Sequence, residues 1–110
     1  MHPRTRALVV TVATVAPGKL DAVADLFAAS NPDLVGDQPD WLEAAVGVDR
    51  SADRVTVVAA WADAGSYRRL AASERFRATM ARFAAHLTGP PEVTVHELAL
   101  RQDAEGVHRP

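Results

Sequence analysis

Apolar residues along this chain follow two different rhythms, and the switches between them mark six elements. Residues 7–16, Ala-Leu-Val-Val-Thr-Val-Ala-Thr-Val-Ala, are β-branched and apolar at odd and even positions alike. Bounded by Pro17-Gly18, that run predicts a strand covered on both faces. From about Lys19 to Ser30 the period lengthens. Leu20, Val23, Ala24, Phe27 and Ala28 recur at helical spacing, with Asp21 and Asp25 on the other side. Asn31-Pro32-Asp33 is expected to stop this helix, because a residue before proline is pushed out of the helical region. Gly36 and Pro39 then mark a loop.

Trp41 to Asp49 predicts a second strand, with Leu42, Ala44, Val46 and Val48 on one face. Arg50-Ser51-Ala52-Asp53 has turn chemistry, and Val55 to Trp61 predicts a third strand. Asp63 is placed to cap a helix starting near Ala64, and Ser73 to cap a second stretch after a kink or break. Phe76, Met80, Phe83, Ala84 and Leu87 form one stripe, with Arg75 and Arg82 off it. Gly89-Pro90-Pro91 ends that helix, and Val93 to Leu100 predicts the last strand.

The order strand, helix, strand, strand, helix, strand predicts an α+β domain. Right-handed crossovers place two helices on one face of a four-stranded antiparallel sheet. The other face would carry many Val and Ala side chains, the mark of an interface. A homodimer through that sheet face is therefore expected, with a pocket between sheet and helices. The domain is read as residues 7–100, preceded by a flexible N-terminus (1–6) and followed by a polar C-terminal tail (101–110).

Composition narrows the function classes. With 110 residues, 48% apolar and 24% charged, the chain suits one globular domain rather than a disordered segment. A net charge of −2 gives no general attraction for nucleic acid. The lack of cysteine excludes disulfides, thiolate metal sites and a cysteine nucleophile, and agrees with a cytoplasmic location. No apolar run approaches the ~18 residues of a membrane span, so no membrane association is expected. The basic start, Met1 to Arg6, reads as the lead into the first strand and not as a signal peptide.

Val15-Ala16-Pro17-Gly18-Lys19, Trp61 closing the third strand, Tyr67 six residues later and Leu87-Thr88-Gly89-Pro90-Pro91 occur in an order that resembles the antibiotic biosynthesis monooxygenase family. The resemblance runs from about Leu8 to Leu100 and implies a ferredoxin-like βαββαβ fold that dimerises into an α+β barrel. Within the family the chain is most similar to the cofactor-free branch of actinorhodin biosynthesis. That branch oxidises a phenolic tricyclic polyketide to a quinone with molecular oxygen alone, using a Trp, a Tyr and an Arg in its pocket. Trp61 and Tyr67 match the first two, and Arg77 matches the third if a short gap precedes Ser73. The branch's Asn four residues before the Trp is replaced by Val57, and its His at the end of the second strand has no counterpart at Gly47 to Asp49. The haem-degrading branch needs an Asn in the first strand and a His after the Trp. Thr11 and Ala71 stand there, so haem breakdown is not implied.

The chemistry so implied asks little of a protein. The substrate must be deprotonated to pass an electron to oxygen, the radical pair held together and water kept out. Indole N–H, phenol O–H and guanidinium groups can stabilise the phenolate. Trp61, Tyr67 and His96 are the candidate catalytic residues, His96 being a general base if it faces the pocket. Arg77, Thr11, Val57 and Phe83 are the candidate substrate contacts. Each also has a plain reading: Trp61 as a core wall, Tyr67 on a helix surface, Arg77 in a solvated arginine-rich face, His96 as a hydrogen-bonded strand residue. His86 reads as surface, and His2 and His108 lie in the tails. No histidine pair has metal-ligand spacing, and no glycine-rich phosphate loop occurs, so neither metal nor cofactor is expected. Ser66 and Ser73 read as helix-start residues rather than nucleophiles. The expected partners are a small aromatic substrate and O2. A non-catalytic carrier of a hydrophobic metabolite and an oxygen-independent isomerase or cyclase remain alternatives.

Overall fold

The structure, a computed structural model, describes residues 4–110. His2 and the first half of the expected flexible N-terminus lie outside the described residues. Strand β1 (Ala7–Thr14) is apolar on both faces because it is central in the sheet. It pairs antiparallel with β3 (Arg54–Trp61) on one side and β4 (Glu92–Glu97) on the other, and β2 (Trp41–Asp49) pairs antiparallel with β3. The sheet order is β2-β3-β1-β4. Helices α1 (Leu20–Val35), α2 (Ala64–Ala71) and α3 (Glu74–Ala84) complete a ferredoxin-like α+β fold. The break foreseen at Ser73 divides the second helical region in two. Its Oγ accepts from the Phe76 amide at 3.1 Å and donates to the Leu70 carbonyl at 2.6 Å, capping α3 and closing α2 together.

Strand alternation sorts the sheet into two faces. Ala7, Val9, Thr11 and Ala13 face the helices. Two apolar clusters form there, one around Val9, Leu34, Trp61 and Leu70, the other around Ala13, Val15, Val23 and Val55. Leu8, Val10 and Val12 face the other way, in register with Ala60, Val58 and Thr56 on β3 and with His96, Thr94 and Glu92 on β4.

The structure departs from the pattern at several places. Helix α1 does not stop at Asn31-Pro32-Asp33 but runs through Pro32 to Val35. Proline inside a helix costs ~3 kcal/mol. Continuing the helix buries Leu34 and Val35, and full burial of such side chains returns ~1.5–3 kcal/mol each. Two of them offset the proline. Gly36 follows as the C-cap, at a position where a Cβ would lie 2.7 Å from the Pro32 carbonyl oxygen. In β2 the register shifts between Trp41 and Glu43, so Leu42 is the extra residue of a bulge and leaves the face it was expected to share with Ala44 and Val46. The bulge sets Trp41 opposite Trp61. Asp63 makes no side-chain cap, and its Oδ1 instead accepts from the Thr5 amide at 3.3 Å. Leu87 lies beyond α3 and bridges to Val15. β4 ends at Glu97, short of Leu100. The expected polar tail contains a small hairpin, β5 (Arg101–Asp103) and β6 (Gly106–His108).

Candidate functional site

The helix-facing side of the sheet and the three helices line a half-open cavity of about 130 Å³. β1 contributes Val9, Thr11 and Ala13 to it, β3 contributes Val55, Val57, Ala59 and Trp61, and α1 contributes Val23, Phe27, Asn31, Leu34 and Val35. α3 presents Phe76, Met80 and Phe83, spaced four and three residues apart on one helix face. The volume leaves room for on the order of ten waters, ~300 Å³ of liquid, the bulk of a flat molecule of two or three fused rings. Its walls are almost wholly apolar.

Of the expected site residues, Trp61, Tyr67, Thr11, Val57 and Phe83 all line this cavity. Trp61 is 2% exposed. Its ring meets that of Tyr67 edge-on at 5.8 Å between centroids and 64° between planes. Tyr67 in turn meets Phe76 edge-on at 6.4 Å. Thr11 and Val57 are direct cross-strand partners at the centre of the floor. Among the described residues, neither the two indole N–H groups nor the Tyr67 hydroxyl nor the Thr11 hydroxyl has a hydrogen-bond partner. No polar side-chain atom of the described residues is sealed away unsatisfied either. These groups are thus free to pair with a molecule in the cavity.

Two expected residues are elsewhere. His96 lies on the opposite face of the sheet, because Val95 takes the inward position on β4 and alternation turns its neighbour out. His96 is exposed, with its Nε2 2.8 Å from the Thr94 hydroxyl. It cannot serve this cavity as a base. Arg77 is one residue past Phe76, so it points off the α3 stripe. It is exposed, and its Nη1 donates to the Ala72 carbonyl at 3.3 Å.

Sequence reasoning missed Trp41 and Asn31, both of which line the cavity. The signal for Asn31 was present, since position 31 continues the 20, 24, 27 stripe of α1. In the sequence the same residue reads as a helix stop because Pro32 follows. Among the described residues, no carboxylate, histidine, lysine or arginine lines the cavity, and Tyr67 is its one ionisable group. Burial raises the Tyr67 phenol above its usual 10, with the nearby Arg68 charge pulling weakly the other way. At neutral pH it is therefore a neutral hydrogen-bond donor.

Beside the cavity, with Leu70 as the shared wall, lies a polar cleft. Ser66 is buried there and donates to Asp40, which also pairs with Arg4, while Arg69 donates to the Ser66 oxygen at 3.0 Å. The Ser66 hydrogen bond and the Arg4 charge hold the Asp40 carboxyl below its usual range. Arg75 grips Asp37 with both guanidinium nitrogens at 2.9 and 3.1 Å and reaches the Leu34 carbonyl at 3.2 Å. Both carboxylates of the cleft's lining are ion-paired and Arg69 is held by the Ser66 hydroxyl, which makes the cleft a brace between the end of α1, α2 and α3.

Residues 6–82 match the protein-family model described as antibiotic biosynthesis monooxygenase. The chain belongs to that family. The match spans β1, β2, β3, α1, α2 and α3 up to Arg82, and leaves out β4. No curated protein matches the chain in sequence. Among solved structures, SnoaB, a cofactor-independent oxygenase from Streptomyces nogalater, is similar at 21% identity and a TM-score of 0.70, covering 91% of this chain and 97% of that one. A protein of unknown function from Nitrosomonas europaea is similar at 22% identity and a TM-score of 0.71, covering 94% and 98%. A protein from Bordetella bronchiseptica, provisionally named an antibiotic biosynthesis monooxygenase, is similar at 18% identity and a TM-score of 0.75, covering 86% and 98%. At these identities the likeness establishes the shared fold of the family and no particular reaction.

Proposed function

We propose that this member of the antibiotic biosynthesis monooxygenase family is a cofactor-independent oxygenase that converts a phenolic or hydroquinone-type aromatic, of polyketide kind, to a quinone with O2. The observation that carries this reading is the apolar cavity itself, sized for two or three fused rings and bordered by the unpaired indole and phenol groups of Trp61 and Tyr67. The name of SnoaB supports it by analogy.

The reaction needs no group beyond these. The phenolate of an anthrone-like substrate passes one electron to O2, and the resulting radical and superoxide combine at the ring carbon. The peroxide anion so formed takes up a proton in place of the one lost on ionisation, and the hydroperoxide then loses water, with the hydrogen of that ring carbon, to leave the quinone carbonyl, so one oxygen atom enters the product and the other leaves in water. The apolar walls keep solvent from the radical pair. Indole N–H and phenol O–H donors favour the anionic form of the substrate. Because no carboxylate, histidine or amine of the described residues borders the cavity, the proton must leave to solvent before or during entry. The rate should therefore rise with pH through the phenol pKa of the substrate itself, changing when a more acidic substrate is used.

Oxygen uptake with an anthrone or dihydroxynaphthalene, with no added metal or flavin, tests the proposal. Absence of uptake across such a panel with folded protein overturns it. The second reading is a carrier that binds a hydrophobic metabolite without turnover. It is favoured by Val57, an apolar residue at the centre of the cavity floor. Binding without oxygen uptake would select it. The isomerase or cyclase alternative loses its proposed base with His96 outside the cavity. A homodimer formed through the sheet face of Leu8, Val10, Val12 and Val58 belongs to the same proposal, since the three β1 residues of that face are shielded by their neighbours alone.

A further inference from the structure

The side-chain amide of Asn31 is out of keeping with its surroundings. It lines a cavity whose α1 wall is otherwise Val23, Phe27, Leu34 and Val35. It is half-buried and has no hydrogen-bond partner among the described residues, so its amide is open to pair with whatever occupies the cavity. Local structure gives no reason for an Asn here. It is a poor helix former, and standing before Pro32 in a continuing helix compounds the cost. Ser30 next to it donates its hydroxyl to the Leu26 carbonyl at 2.6 Å and makes no bond to the amide. A leucine at position 31 would suit both the helix and the apolar stripe. Local conflicts of this kind concentrate at functional sites.

We infer that Asn31 is a substrate-orienting residue, and that its carboxamide selects ligands carrying a hydroxyl or carbonyl oxygen on the ring system. The inference rests on the cavity being the substrate site, as proposed above, but not on oxygen chemistry taking place there. The amide is both donor and acceptor, so it suits a phenol, a phenolate or a quinone carbonyl, covering substrate and product alike. A bare aromatic hydrocarbon would seal the amide without a partner, which a polar site rejects far more strongly than a mismatch of size.

Both tryptophans of the protein, Trp41 and Trp61, line the cavity, so the two indole N–H signals of an amide-correlation NMR spectrum report occupancy directly. Titration with 1,5-dihydroxynaphthalene and with the equally shaped 1,5-dimethylnaphthalene gives a ratio of dissociation constants. The wild type should prefer the dihydroxy compound. In Asn31→Leu the ratio should fall about ten-fold, a change typical for one hydrogen bond, while both compounds still shift the indole signals. An unchanged ratio in folded Asn31→Leu overturns the inference. Asn31→Ala, a better helix former, carries the same comparison if the leucine variant does not fold. Failure of both compounds to move the indole signals of the wild type overturns the cavity as the binding site, and the inference with it. Missing oxygen uptake with an intact dihydroxy preference overturns only the oxygenase reading and leaves Asn31's role standing.

Discussion

At Trp61 one side chain packs against the core of Val9, Leu34 and Leu70 and also borders the cavity. The two roles separate by substitution. Trp61→Ala should cost ~3–5 kcal/mol of stability, as for other buried large-to-small changes. Trp61→Phe keeps much of the packing and removes the indole N–H. It and, separately, Tyr67→Phe should each lower turnover on the order of 100-fold, the lower end of the range for loss of one donor to a developing anion, with the far-ultraviolet circular dichroism spectrum preserved. Unchanged turnover in both variants would remove these two residues from the mechanism. Tyr67 also has a consequence for alkaline stability. Its folded pKa is raised by burial, so its contribution is complete below the unfolded value of ~10 and is lost as pH rises through the folded value. Tyr67→Phe should therefore flatten the stability profile above pH ~10, read by urea denaturation at successive pH values.

Helix α1 carries the main tension at the level of elements. Its proline penalty is local, and the reward of burying Leu34 and Val35 exists only once the sheet is in place. The end of the helix depends on Gly36, and Gly36→Ala drives a Cβ toward the Pro32 oxygen. It should destabilise by ~1–3 kcal/mol, as for other overpacked sites, measured by the urea midpoint. A neutral result would mean that the last turn relaxes freely. The Arg75 fork on Asp37 and the Leu34 carbonyl holds the same turn to α3. The Arg75 hydrogen bonds depress the Asp37 pKa to about 2. The stabilisation is thus present above the unfolded carboxyl value of ~4 and lost as pH falls through about 2. Arg75→Ala should weaken the acid dependence in that window. Because both groups are solvent-exposed the effect will be small, and it should shrink further in high salt.

For the whole molecule, the question is what covers the outer sheet face. Val58 is 36% exposed there at the middle of β3, beside Val10 of β1. If two copies pack sheet to sheet, Val58→Lys sets like charges against each other across the axis. Light scattering should then show a shift from dimer to monomer with the helical signal intact. A monomeric wild type, or a dimer untouched by the substitution, would remove this face as the interface. The C-terminal hairpin lies apart from the main sheet, pairing only with itself. It helps to explain a radius of gyration of 14.7 Å, above the ~13 Å usual for a chain of this size.

Elements whose cause is local are legible in the amino-acid sequence by itself. β1 declares itself by β-branched residues on both faces, α3 by Ser73 and the Phe76–Met80–Phe83 stripe, and the turn at 50–53 by its polar run. The family, with its pocket-lining Trp61 and Tyr67, also follows from short segments read in their order along the chain. What tertiary structure alone decided are matters of competition and of facing. Pro32 yields to burial of Leu34 and Val35 from a distance. The bulge at Leu42 brings Trp41 opposite Trp61. A one-residue alternation turns His96 to the outer face and packs Val95 against the core on the inner one. A strand's identity needs only composition, but the face each residue takes depends on pairing register, and register is set by neighbours far away in the chain. The same reason hid Asn31, whose lack of a partner is a property of the cavity and not of any local stretch.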